Sequence, residues 1–329
     1  MFEPWSITIQ SIAPVLTEHE LPSGLQSVVR TLLYYHIFDY PLTAAEILRF
    51  SNHPWNGLAE VEHTAHDLVE SSLIMADRGF FYIGEDSHVD ERVADQARAR
   101  AAFPQADKWS RLISRFPYVR GVAVSGTLSK GVMKETDDLD YLVFTEPDRV
   151  WLCRLLLMGF KKLFLFNSHH RFCINYLLAS DRLEIPDRDV FTATEIAWLL
   201  PTVNPSIYGR FIEANSWVGD HFPNWRPRSG DGVTPLAGGF LKAATESLID
   251  FLGGRRLDNW AHRLISGRNK RRYSHLKVRH EVALRSEKHV SKHHPRGFQE
   301  RVLRRLDDGI AAFEQRHGVS IRERGSTTS

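Results

Sequence analysis

The sequence predicts an α+β protein, a mixed sheet with flanking helices joined to a helical C-terminal region. Three observations point there. Val122-Ala-Val124, a Gly126-Thr127 turn and the apolar run Tyr141–Phe144 read as two strands of one sheet. The apolar stretch Val150–Phe166 then reads as a crossover helix leading to a further strand over Arg171–Ala179. Helical periodicity governs much of the flanking sequence on both sides. The chain is accordingly divided into an N-terminal domain over 1–88, a core over 89–190 and a helical domain with a basic tail over 191–329.

In the first domain, Leu25 onward reads as an amphipathic helix that Tyr40-Pro41-Leu42-Thr43 ends. Thr43 with Glu46 has the spacing of a capping box, starting a short helix from Ala44 to Phe50. A third helix is expected from about Leu58 to Ser71, with Val61, Ala65, Leu68 and Val69 on one face. Leu73-Ile-Met75, the turn Asp77-Arg-Gly79 and Phe80–Ile83 then form a hairpin. Three helices followed by a hairpin make a winged-helix-like layout. Where such domains bind DNA, the third helix enters the major groove. Here Glu60, Glu62, Asp67 and Glu70 make that helix acidic, which repels phosphates and favours a packing or partner-binding role.

Val89–Phe103 reads as a helical linker rich in Ala and Arg, and Pro104 opens a further helix through Phe116. In the core, strands are expected over Val119–Val124 and Asp138–Phe144, with a short helix from Thr127 to Met133 between them and a helix over Arg149–Phe166 after them. Along a strand, side chains alternate faces, so Asp138 and Asp140 project to the same side. Two adjacent carboxylates repel unless a cation lies between them, and hard oxygen donors of this kind suit Mg²⁺ (or Mn²⁺) together with substrate phosphates. Gly126 permits a close approach of phosphate to the main chain. Ser125, Thr127 and Lys130 complete a candidate phosphate cradle, with Lys134 a further cation nearby.

These residues, Gly126-Thr-Leu-Ser-Lys-Gly131 followed by Asp138-Leu-Asp140, resemble the nucleotidyltransferase superfamily, the polymerase-beta-like fold. Its signature is an apolar strand, Gly-Ser or Gly-Gly, a nearby basic residue and Gly, then Asp-x-Asp on the next strand. Thr127 keeps the hydroxyl of the usual Ser. The chain also looks like a group of bacterial proteins with an N-terminal helical domain, through Tyr34-Tyr-His-Ile-Phe-Asp-Tyr-Pro-Leu-Thr43. The resemblance implies a nucleotidyltransferase-type sheet and transfer of a nucleoside monophosphate from a nucleoside triphosphate such as ATP to an acceptor, with pyrophosphate released. It implies Asp138 and Asp140 as metal ligands, Thr127 and the adjacent backbone on the β- and γ-phosphates, and Lys130 against charge on the leaving group. The family's third carboxylate belongs on a later strand, where this chain has Asn175. An amide can coordinate a cation but is no general base. Asp181, Glu184, Asp187 and Asp189 are the nearest acids in sequence. Glu195 is expected to serve the N-terminus of a helix capped by Thr192 or Thr194.

Composition narrows the remaining classes. The chain has 329 residues, a formal net charge of +2 and only two cysteines, Cys153 and Cys173, too few for a disulfide framework, so a cytoplasmic setting is expected. The N-terminus lacks the pattern of a signal peptide. Arg154, Lys161 and Lys162 interrupt the most apolar stretch, which falls short of a membrane span, so no membrane is expected. Arg268-Asn-Lys-Arg-Arg272, with Lys277, Arg279, Arg285, Lys288, Lys292 and Arg296, make the C-terminal region basic. Such a face suits nucleic acid, an acidic protein or substrate phosphates, or is a solvated helical surface. The acceptor is open among a small molecule, a protein and an RNA end. The other reading is a catalytically weakened regulator that senses nucleotide or binds nucleic acid; a third is an antitoxin-like protein that modifies a partner.

Overall fold

The computed structural model describes residues 20–165, 172–236, 238–273, 285–292 and 297–321. His169-His170, Lys277, Arg279, Arg296 and the terminal Gly325–Ser329 lie outside the described residues. The architecture is α+β with a mixed sheet. The chain divides into two compact units. One comprises the residues through Arg92, Gly219–Arg226 and those from Val302 onward; the other comprises Val93–Val218 and Pro227–Arg301.

The first unit opens with helices α1 (Ser23–His36), α2 (Ala44–Phe50) and α3 (Leu58–Glu70). Strands β1 (Leu42–Thr43), β2 (Met75–Asp77) and β3 (Phe80–Tyr82) form an antiparallel sheet in the order β1-β3-β2. The expected capping box is present. Thr43 Oγ1 accepts from the Glu46 N–H at 3.3 Å, and Thr43 N–H donates to Glu46 Oε2 at 2.9 Å, so two orphan donors of α2 are satisfied. Glu46 also pairs with Arg92 at 2.8 Å, and the Arg92 guanidinium lies 4.0 Å from the Tyr40 ring centroid. Arg78 and Gly79 both take positive φ (49° and 80°), the twist a two-residue hairpin loop needs. Val28, Leu32, Ile47, Val61, Leu68 and Phe81 are buried and form the apolar interior that these periodicities predict.

The second unit is built on a six-stranded sheet. In chain order its strands are β4 (Val119–Ser125), β5 (Asp140–Thr145), β6 (Cys173–Ala179), β7 (Leu200–Val203), β8 (Ser286–Glu287) and β9 (Val290–Lys292). The spatial order is β7-β4-β5-β6-β9-β8, with β5 and β6 parallel and every other pair antiparallel. The helices are α4 (Val89–Ser114), α5 (Gly126–Ser129), α6 (Val150–Phe164), α7 (Val190–Trp198), α8 (Pro205–Ala214), α9 (Val218–His221), α10 (Phe240–Phe251), α11 (Gly254–Tyr273) and α12 (Phe298–His317). Of these, α4, α9 and α12 continue across the division between units. Pro104, expected to open a new helix, lies inside the continuous α4. No helix among the described residues is long and apolar enough to cross a membrane.

Helix α6 is the expected crossover between parallel strands, and Trp151, Cys153 and Leu157 pack it into the core beside Tyr141, Val143 and Leu177. Asp258 from α11 fixes its start: Oδ1 accepts from the N–H groups of Trp151 and Leu152 at 2.9 and 2.8 Å. A carboxylate there meets the positive end of the helix dipole as well as two orphan donors.

Two further boundaries, both beside the Gly126 turn, differ from expectation. Strand β5 begins at Asp140, so Asp138 and Leu139 belong to the segment that leads into it. The helix expected over Thr127–Met133 is a single turn, α5. The Thr127 carbonyl accepts from the N–H groups of both Lys130 and Val132 (3.0 and 3.3 Å), and Gly131 turns to φ +73°, which closes the chain into a loop.

Candidate functional site

The site forms where β4 ends and β5 begins. Ser125, the last residue of β4, lies opposite Asp140, the first of β5. Gly126 then takes φ +69°, and a Cβ on it would come within 2.6 Å of Asp140 Oδ2. Only glycine combines that backbone conformation with so close a carboxylate. The loop between turn and carboxylates is tied to α4: Met133 N–H donates to the Asp95 carbonyl at 3.1 Å, and Arg98 Nε donates to the Met133 carbonyl at 3.0 Å.

The other oxygen of Asp140 is held from β6. Asn175 Nδ2 donates to Asp140 Oδ1 at 2.6 Å, while Asn175 Oδ1 accepts from the Cys173 thiol at 3.3 Å. The register explains how Asn175 reaches it. Tyr141 pairs with Ile174 but Leu142 pairs with Tyr176, so Asn175 is the extra residue of a bulge. A bulge re-aims a side chain, and this one turns the amide onto the carboxylate. Asn175 therefore orients Asp140 through its N–H₂ and is not a third acid.

Electrostatics single out Asp140. Burial, together with the negative charges of Asp138 and Glu195, pushes its pKa up to about 7 against the opposing hydrogen bonds from Cys173 and Asn175. The Cys173 thiol beside it is likewise pushed up to about 12, by burial and by the Asp140 charge. Lys161, on the last turns of α6, has its pKa lowered by burial, while Cys173, Asp138 and Asp140 act to raise it. Lys161 thus lies within the field of both aspartates.

Lys130 Nζ donates to Glu195 Oε1 at 2.6 Å. Glu195 therefore does not serve its own helix terminus as expected. The cap of α7 is Asp189, whose Oδ1 accepts from the Thr192 N–H at 2.8 Å, and Thr194 donates to the Val190 carbonyl at 2.7 Å. Arg228 reaches the same turn, its Nη2 donating to the Ser129 carbonyl at 3.0 Å. Of the other acids considered, Asp187 pairs with Arg285 at 2.9 Å and Glu184 with Arg188 at 2.7 Å.

The structure thus brings together Ser125, Gly126, Thr127, Lys130, Asp138 and Asp140. It adds Asn175, Glu195, Lys161 and Arg228. Lys134 does not join them: its side chain is exposed, and its N–H donates to Asp137 Oδ2 at 2.9 Å in a local turn. The sequence carried no spacing signal for Glu195 or Arg228, which arrive from segments 65 and 99 residues from their partners.

The donor set is hard oxygen, and the Gly126 cradle leaves Asp140 Oδ2 facing main chain with no side chain between them. That fits a cation which takes one or two protein carboxylates and completes its shell with phosphate oxygens and water. It does not fit an all-protein cage, since no three His, Cys, Asp or Glu among the described residues converge on a common point. Comparison of the chain with models of protein families, with curated proteins and with solved structures gives no match.

Proposed function

We propose that the protein is an Mg²⁺-dependent (or Mn²⁺-dependent) nucleotidyltransferase, with a nucleotidyltransferase-type sheet as its core. The observation that carries this reading is the seating of Gly126, at φ +69°, against Asp140, which lies in the field of Asp138 and of the Glu195 that holds Lys130. It joins a main-chain phosphate approach to a carboxylate pair within one turn. Asp138 and Asp140 would hold the metal, which when bound would neutralise triphosphate charge and orient the α-phosphate.

The chain's own residues have distinct parts. Asn175 fixes the rotation of the Asp140 carboxylate, and Glu195 holds the Lys130 ammonium over the turn. Lys130 and Arg228 would receive the β- and γ-phosphates together with the N–H groups around Thr127. Because α5 is one turn long, those N–H groups and not a helix dipole carry the backbone's share. In the transfer, an acceptor oxygen forms a bond to the α-phosphorus, the bond to the bridging oxygen breaks, and pyrophosphate leaves with that electron pair. Positioning and charge neutralisation supply most of the acceleration in such reactions. The acceptor hydroxyl's proton passes to solvent or to the acceptor's own neighbouring group.

A second reading, a nucleotide-sensing regulator with a weakened core, is favoured by one observation: Asn175 stands where the resemblance would put a third acid, and its N–H₂ faces Asp140. The first unit, with its acidic α3, supports a winged-helix-like partner-binding role. The exposed Arg268 and Arg271 keep nucleic acid among the possible partners.

The deciding experiment incubates the protein with labelled nucleoside triphosphates and Mg²⁺ or Mn²⁺, following pyrophosphate release and label transfer. Turnover that disappears in Asp138→Ala/Asp140→Ala supports the transferase. Saturable nucleotide binding without turnover across small-molecule, protein and RNA acceptors would replace it with the regulator.

A further inference from the structure

Helix α10 is amphipathic in the inverted sense. Lys242, Glu246 and Asp250 point into the unit: Lys242 Nζ donates to the carbonyls of Ser114 and Val119 at 2.8 and 2.7 Å. Glu246 accepts from Arg120 at 2.9 Å, and Asp250 accepts from Arg149 at 2.8 Å. Ile249 packs against the core, but the other large apolar side chains face solvent. Phe240, Leu241, Leu248, Phe251 and Leu252 are 58–87% exposed. At about 100° per residue, these five positions fall within an arc of roughly 120°, a single stripe. No charged residue lies in it, and Thr245 turns its hydroxyl back to the Leu241 carbonyl at 2.7 Å. The next helix, α11, exposes Trp260 and Leu264, one turn apart.

A helix tied down by its polar face and left apolar outside has the chemistry of a surface awaiting cover. The five exposed side chains of α10 amount to roughly 700 Å² of apolar area, above the ~300–600 Å² of the largest patch on a typical monomer. Trp260 and Leu264, 55% and 47% exposed, bring the total to roughly 900 Å², past the ~800 Å² that each partner contributes to a stable interface. We infer that this face is the interface with a second copy of the chain, paired about a two-fold axis that lays α10 against its equivalent.

Charge selects this occupant. A charge-free stripe matches an interface core, from which charged residues are depleted, and closed two-fold pairing is the commonest assembly. A helix lying in an anionic bilayer surface keeps Lys and Arg on its polar face, whereas that face of α10 is net acidic and engaged inside the unit. Positive charge lies on α11, whose exposed Arg255, Arg256, Arg263, Arg268 and Arg271 fall to the solvated rim, where screening limits repulsion between copies.

Sedimentation velocity and light scattering on the full chain, from about 0.5 to 100 µM, test the inference over the range where such an interface dissociates. A dimer is expected, and Leu248→Glu/Phe251→Glu is expected to weaken it at least ~100-fold, since interface-core positions carry most of the energy. Both positions are solvent-exposed in the single chain, so the circular dichroism of the variant should match the parent's, and its unfolding midpoint should match that of the parent at a concentration where the parent is monomeric. Phe251→Cys offers a second readout through oxidative cross-linking of two chains beyond any seen in the parent, whose Cys153 is buried and Cys173 half-buried. A parent protein that is monomeric throughout the range overturns the inference. So does a dimer that survives the double substitution unchanged. A monomer that co-sediments with vesicles of phosphatidylcholine and phosphatidylglycerol overturns it in favour of a lipid surface.

Discussion

Strands β4 and β5 carry acidic groups at both ends, and the two ends handle them in opposite ways. At one end, Arg120 donates to Glu146 at 2.6 Å and to both oxygens of Glu246, while Tyr118 and Arg149 each reach Asp250 at 2.8 Å. Each acid there has a cation or a donor of its own. At the other end, Asp140 receives an amide N–H from Asn175, and the charged groups acting on it include Asp138 and Glu195. The result is that Glu246 and Asp250 are held below the ordinary carboxylate range, whereas Asp140 is pushed above it. The first arrangement stabilises a fold. The second keeps carboxylates crowded at the mouth of a glycine turn, at a cost to stability, and such crowding is characteristic of sites that act on a ligand.

If the ends differ in this way, their substitutions should separate activity from stability. Asp138→Ala/Asp140→Ala is expected to reduce nucleotidyl transfer by ~10³-fold or more, the scale of removing a principal charge-stabilising group. Its unfolding free energy should move by less than that of the clamp variant described next. Steady-state pyrophosphate release and urea unfolding on the same samples measure both. Equal loss of activity and stability would erase the distinction between the ends.

Glu246→Ala is the converse. It leaves the Arg120 guanidinium, which is 24% exposed, with fewer acceptors and removes the acceptor of the Tyr118 N–H. A loss of about 2–4 kcal/mol is expected, on the pattern of a mostly buried pair broken on one side. Nucleotide affinity measured well below the unfolding midpoint should stay within about twofold. A large change in affinity with little change in stability would move the clamp into the site.

The comparison also shows what the sequence could and could not reveal. The strand-turn-strand around Gly126 was legible because its parts have local causes, apolar alternation and a glycine that must turn left-handed; the spacing of the carboxylates was no such guide, because β5 begins at Asp140 and strand alternation does not reach Asp138. The capping box of Thr43 and Glu46 was legible for the same reason, since its partners lie within one turn. The clamp was invisible, because Glu246 and Asp250 meet Tyr118, Arg120 and Arg149 across 101–132 residues of chain. Glu195 escapes sequence reasoning because a glutamate in the first turns of a helix satisfies a local rule, and only tertiary packing reveals Lys130 as its partner. The role of Asn175 hinged on a bulge in β6, and a single extra residue in a parallel ladder leaves no trace in periodicity.

Asn175→Asp sharpens the site end. The substitution replaces a donor to Asp140 with a further carboxylate, so without divalent cations the variant should lose about 1–3 kcal/mol. Should three acids then share a cation, Mg²⁺ or Mn²⁺ would restore stability, by about 2.7 kcal/mol at a hundredfold excess over the dissociation constant. Thermal unfolding with EDTA and with each ion reads this directly. A variant whose midpoint responds to the ions no more than the parent's would deny that position any part in holding metal.

The smallest effect expected is in the acid range, at the clamp. Burial opposes the charge on Glu246, but the hydrogen bonds from Arg120 and from the Tyr118 N–H outweigh it, and the pKa lies below the ordinary 4.5. A carboxylate with a lowered pKa in the fold binds its proton less readily than in the unfolded chain. Its contribution to stability is therefore complete above the ordinary pKa and disappears as pH falls through the lowered one. Glu246→Gln keeps the shape and removes the charge. The gap in unfolding free energy between parent and Glu246→Gln should be constant from about pH 8 to about pH 6 and should close between about pH 5 and pH 3. Urea unfolding at stepped pH measures the gap. A gap that persists or widens in acid would mean that Glu246 acts by shape and hydrogen bonding alone, and the contrast between the two strand ends would then rest on Asp140 by itself.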